Sequence, residues 1–129
     1  MGNLPKVVFL LAAFAYGCGG LTESELREAR HQAHHTATAN ILIIEMGRKG
    51  NISRRYLQEH VRDARKDLNE IQKRLKHDAS DEAQQLRESV QQLAQILEDL
   101  ERNPGQAGLD RSEQQLTRLE QTLRDREGH

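Results

Sequence analysis

Six histidines are the residues whose type and spacing reach furthest toward chemistry: His31, His34, His35, His60, His77 and His129. His31 and His35 stand at i,i+4, where two imidazoles project from one helix face and can share a metal ion. On a helical wheel with Leu26 at zero, these two fall at about 140° and 180°, away from the apolar stripe, while His34 at about 80° borders it. If the next helix folds back about residues 49 and 50, His60 comes opposite Ala39, roughly 6–8 Å along the axis from His34 and His35 at ~1.5 Å per residue. His31, His34, His35 and His60 are therefore the candidate metal ligands. Without four ligands and orienting partners, they imply at most weak Zn²⁺ or Cu²⁺ binding. The plainer reading, solvated histidines on an outer helix face, is favoured.

Catalysis needs a preorganised constellation, and none is visible. Ser53 and Ser80 stand at helix starts and read as caps, and the haem-attachment pattern Cys-x-x-Cys-His is missing. Glu28-Ala29-Arg30-His31 has the Glu-x-x-His spacing of di-iron bundles, but those need a second such motif and further inward carboxylates. The chain reads as non-enzymatic, with no catalytic residue and no required cofactor.

The elements carrying these residues are helices throughout. Thr22 and Glu25 form a capping box with Leu21 and Leu26 at staple positions, and an apolar stripe follows through Leu26, Ala29, Ala33, Ala37, Ile41 and Ile44. Ile41 to Ile44 is apolar around most of the helix, which predicts deep burial there, and Gly47 and Gly50 end the segment. A second helix starts at Ser53 and carries Leu57, Val61, Ala64, Leu68, Ile71 and Leu75 in the alternating four–three steps of a coiled-coil seam. A third carries Ala83, Leu86, Val90, Leu93, Leu97 and Leu100 and stops at Asn103-Pro104-Gly105. A second capping box, Asp110 with Glu113, opens a fourth helix with Leu116, Leu119 and Leu123.

Between Leu75 and Leu86, a four–four–three spacing allows one continuous helix through a stutter. Basic residues before His77 and Asp78, Ser80, Asp81 and Glu82 after it favour a tight turn instead. The expected fold is all-α, an up-down-up-down four-helix bundle.

Charge patterning fits that order. Residues 47–77 carry ten basic against four acidic side chains, while residues 22–46 and 79–102 are net acidic. A basic second helix between two acidic neighbours is the complementarity such a bundle provides. Arg48 and Lys49, between two glycines and followed by Arg54 and Arg55, form a basic tip about 36 Å from the start of helix one at ~1.5 Å per residue. They are the candidate contacts for an anionic envelope protein or cell-wall polymer, with helix-end charge compensation as the plainer alternative.

The first eighteen residues address the chain. Lys6 precedes the apolar run Val7 to Ala15, too short to span a bilayer core of ~30 Å, so the run reads as the h-region of a secretory signal. It ends in Ala15-Tyr16-Gly17-Cys18, which resembles the lipobox of bacterial lipoproteins, where the cysteine is acylated, for example with palmitate, and becomes the new N-terminus. That resemblance implies a signal peptide 1–17, a lipid anchor and tether 18–21, and a helical domain 22–129. Gly19 after the cysteine, by resemblance to lipoprotein sorting, implies the inner leaflet of a Gram-negative outer membrane, facing the periplasm. Ala15-Tyr16-Gly17 also suits an ordinary signal peptidase, which would release a soluble periplasmic protein. Cys18 is the sole cysteine, so no intrachain disulfide exists. Removing Lys6 with the leader leaves 18 Lys+Arg against 20 Asp+Glu, a balance that argues against nucleic-acid binding.

Leu57-Gln58-Glu59-His60-Val61-Arg62-Asp63-Ala64 is similar to the repeat of small histidine-bearing helical metal-binding proteins of the bacterial periplasm. That resemblance implies a ligand role for His60, with His31, His34 and His35 as further candidates. The leading expectation is a non-enzymatic, lipid-anchored envelope bundle acting as a scaffold or interaction module; the alternative is a periplasmic metal-binding or metal-buffering protein.

Overall fold

The computed structural model describes residues 20–127, which form four helices: α1 (Glu23–Arg48), α2 (Arg54–Leu75), α3 (Asp81–Arg102) and α4 (Gln106–Glu127). The leader, Cys18 and His129 lie outside the described residues. Among those described, no helix is long and apolar enough to cross a membrane.

The starts of α1, α2 and α3 are chemically specified. Thr22 Oγ1 accepts from the Glu25 N–H at 3.1 Å while Glu25 Oε1 accepts from the Thr22 N–H at 3.0 Å, closing the predicted capping box. Ser53 and Ser80 cap α2 and α3 by accepting from the N–H groups of Tyr56 and Ala83. At the end of α1 the Gly50 N–H reaches Gly47 O and the Asn51 N–H reaches Met46 O, a Schellman closure that needs the left-handed φ of +76° at Gly50.

The link between α2 and α3 is a turn, not a continuous helix. The Arg87 guanidinium donates to the carbonyls of Leu75 and Asp78, both at 2.6 Å, adding to the Asp78 N–H that Leu75 O accepts at 3.2 Å and tying α3 to the end of α2. Asp78 is buried inside this turn, where its carboxylate accepts from the Ser80 N–H at 2.9 Å and the Leu21 N–H at 3.0 Å. The segment entering α1 is thereby tied to the α2–α3 turn. Gly20 lies so close that a Cβ would sit 2.5 Å from the Asp78 side chain, and its φ of +97° also favours glycine.

The helices pack up-down-up-down, α1 on α2 and α4, and α3 on α2 and α4. α1 also touches α3 across the diagonal, whereas α2 and α4 do not meet. The cause is side-chain size: α1 turns Ala29, Ala33 and Ala37 inward where the other helices turn mainly leucines, so its backbone approaches closely. Every predicted seam residue of α2 and α3 is buried, as are Leu116, Leu119 and Leu123 of α4. The basic α2 meets acidic α3 at Glu101, which takes Arg65 Nη1 at 2.6 Å and Arg62 Nε at 3.2 Å.

Three expectations are corrected. The α1 stripe runs through Asn40 rather than Ile41, which is only partly buried; Asn40 Nδ2 donates to Thr36 O at 2.8 Å, while its buried Oδ1 has no hydrogen-bond partner. Leu42 is 56% exposed, so burial at that end is one-sided. α4 begins at Gln106, four residues before the proposed Asp110–Glu113 box, because Leu109 must be inside the helix to reach the core.

Leu68, Leu93 and Leu116 are all fully enclosed. Leu68→Asp would bury an unpaired carboxylate and remove apolar packing, costing about 3 kcal/mol or more. Against a total near the low end of domain stabilities, roughly 5 kcal/mol, a melting curve of this variant should show little residual folded protein.

Acid should unfold the bundle through its paired carboxylates. Burial pushes Asp78 up, but the Ser80 N–H and hydroxyl, the Leu21 N–H and Arg87 outweigh it and leave the group below its ordinary value. Burial likewise raises Glu101, and Arg65 and Arg62 overcome it to give a net lowering. Groups depressed in the folded state stabilise above the ordinary carboxylate value, about 4, and that stabilisation is lost as pH falls through their folded values. Thermal melts should be flat above about pH 5 and fall steeply below 4. Asp78→Asn should lower the neutral-pH Tm and shrink the acid-dependent drop.

Candidate functional site

The histidines of α1 divide between two faces. His34 borders the core as its wheel angle implies and lies in the seam with α4, where Nδ1 is 2.7 Å from Glu127 Oε2 and Nε2 is 3.4 Å from Glu120 Oε2. Glu120 is buried on α4; its other oxygen pairs with Arg124, and Oε2 has no hydrogen-bond partner. The Nε2 contact is thus longer than a good hydrogen bond. His34 stands between two α4 carboxylates, one at hydrogen-bond distance and one farther off.

His31 and His35 are exposed, on the outer side of α1. His31 Nδ1 faces Glu127 Oε1 at 3.5 Å, and that carboxylate oxygen is buried without a hydrogen-bond partner. Both imidazoles also line an open groove against α2, opposite Asp67, Glu70 and Arg74. His60 is half-buried farther along α2, seven residues or about 10 Å from Asp67 at ~1.5 Å per residue. It does not line the groove that His31 and His35 share. Among the described residues, no three histidine, cysteine or carboxylate side chains converge as they stand on a point where a metal ion would fit.

The basic tip is divided as well. Arg48 reaches back to α4, its Nη2 2.8 Å from both Asp110 Oδ1 and Glu113 Oε1. The hydrogen bond that Arg48 donates to Glu113 raises its already high pKa, with both acids and Glu45 adding to the effect. Asp110 and Glu113, expected to cap a helix, serve instead as the receptor for this guanidinium. Arg55 pairs with Glu59 at 3.2 Å, and Lys49 on the turn and Arg54 at the start of α2 are exposed.

Glu120 and Glu127 were absent from the sequence reading, although one carried a signal. Leu116, Glu120 and Leu123 follow the four–three steps of a core seam, so Glu120 is a carboxylate at a core position, and such a group needs a partner.

The chain matches no protein-family model, and no curated protein or solved structure is similar to it.

If His34 compensates Glu120, the two should be energetically coupled. His34→Ala should destabilise by about 1–3 kcal/mol because Glu127 Oε2 loses its hydrogen-bond partner and the buried Glu120 Oε2 loses the ring that faces it. In a denaturation double-mutant cycle with Glu120→Ala, the coupling should be about 1 kcal/mol or more, whereas additive effects would show that the 3.4 Å contact carries no energy.

Proposed function

We propose that this chain is a non-enzymatic, lipid-anchored envelope protein whose bundle presents its far end to an anionic partner. The observation that carries this reading is the clasp between the Leu21 N–H and buried Asp78, beside Gly20. It brings the folded body to within two residues of Cys18, so a lipid on that cysteine would hold the bundle against the membrane with hardly any free tether.

α1 then carries the opposite end outward by about 39 Å, its 26 residues at ~1.5 Å each. Two large apolar side chains are exposed in that half of the molecule, Leu42 at 56% and Tyr56 at 52%. Tyr56 is next to Arg54 and Arg55, and Lys49 lies on the adjoining turn. An exposed aromatic among cations offers both apolar area and charge steering to an acidic surface, such as an envelope protein face or cell-wall polymer. Arg48 contributes little to this surface because α4 already holds it.

Cys18→Ala should shift the protein from the membrane fraction to the soluble periplasmic fraction. In the anchored protein, Lys49→Glu with Arg54→Glu should abolish salt-sensitive co-purification of the partner while leaving Tm and fractionation unchanged. A wild-type protein already soluble would replace anchoring with plain secretion, and co-purification indifferent to the charge reversal would remove the tip from the interface.

A further inference from the structure

The groove between α1 and α2 places two imidazoles opposite two carboxylates. His31 and His35 are one helical turn apart on α1, and Asp67 and Glu70 are one turn apart on α2, so each pair shares a helix face. We propose that these four side chains form a binding site for a borderline divalent cation of the Zn²⁺ type. Two imidazole nitrogens and two carboxylate oxygens are a donor set that such an ion accepts in tetrahedral geometry, whereas Mg²⁺ and Ca²⁺ take oxygen.

Glu127 lies within reach of becoming an orienting partner as the ring moves to bind, its Oε1 having no hydrogen-bond partner as it stands. With His31 Nδ1 turned to Glu127 Oε1 at 3.5 Å, the nitrogen on the far edge of the ring keeps its lone pair for a metal. A metal-bound imidazole characteristically directs its other ring N–H at a carboxylate in this way. His34 is excluded from the ligand set because both its nitrogens already face acids. His60 is excluded by its distance along α2.

The side chains of the groove have other partners as they stand. Glu70 is paired with Lys73 at 3.3 Å, and Arg74 bridges to Gln32 across the two helices. Ion binding requires Glu70 to leave Lys73 and the exposed ligands to rotate inward, and Arg74 repels the arriving cation. These costs set the affinity in the micromolar range rather than at that of a structural zinc site.

The test is isothermal titration of Zn²⁺ into the full chain carrying Cys18→Ala, which removes the sole thiol and makes the result independent of anchoring. One ion per chain should bind with micromolar Kd. His35→Ala and Asp67→Asn should each raise Kd about 10-fold or more, the loss typical of a ligand or its close support. Arg74→Gln should lower Kd severalfold by removing a like charge, and His60→Ala should leave it unchanged. Co²⁺ should give the strong visible bands of a tetrahedral site, lost in His35→Ala. All of these positions except half-buried His60 are exposed, and circular dichroism checks that each variant stays helical. Absence of one-to-one binding, an Asp67→Asn variant that binds as wild type, or a His60→Ala loss equal to that of His35→Ala overturns the assignment.

Discussion

Close approach by α1 is the constraint on which the other contacts rest. Three buried alanines, Ala29, Ala33 and Ala37, let this helix sit near α4 and touch α3 across the bundle, while α2 and α4 stay apart. Small side chains bring backbones together, and what lies beside the stripe is then forced into contact. His34 flanks the alanines, so it meets the α4 carboxylates at short range. Larger residues at these positions would widen the seam and leave Glu120 buried with less compensation.

Polar groups therefore do two kinds of work in this fold. Those at the helix ends, such as Thr22 with Glu25, close valences that any helix leaves open. Those along the seams, such as Glu101 with Arg62 and Arg65 or Arg48 with Asp110 and Glu113, select which helix lies beside which. Leucine seams alone are nearly interchangeable, and the charged pairs distinguish one neighbour from another.

The regular parts of this architecture were legible in the chain because a period of 3.6 residues and a cap are local facts. The α2 and α3 seams, three capped starts and the tight α2–α3 turn all follow from short windows of sequence. The errors arose where tertiary contact overrode local pattern. Asn40 takes a core place with only its Nδ2 satisfied, by the backbone of its own helix, and Asp110 with Glu113 looks like a cap until Arg48 is known to lie opposite. The histidine pair on α1 was visible from spacing. Its facing residues on α2 and α4 depend on interhelical register, which a nominal fold-back point did not supply accurately enough.

The clasp between Leu21 and Asp78 also has a mechanical meaning. Tension on the chain ahead of Gly20 does not reach the first turn of α1 directly. It meets the Leu21 amide held by Asp78, whose own turn is gripped by Arg87 on α3. The load is shared with a second pair of helices before α1 can begin to peel. While the clasp holds, the pull falls on the α2–α3 turn and its Arg87 grip, and α1 is spared until those polar contacts give way.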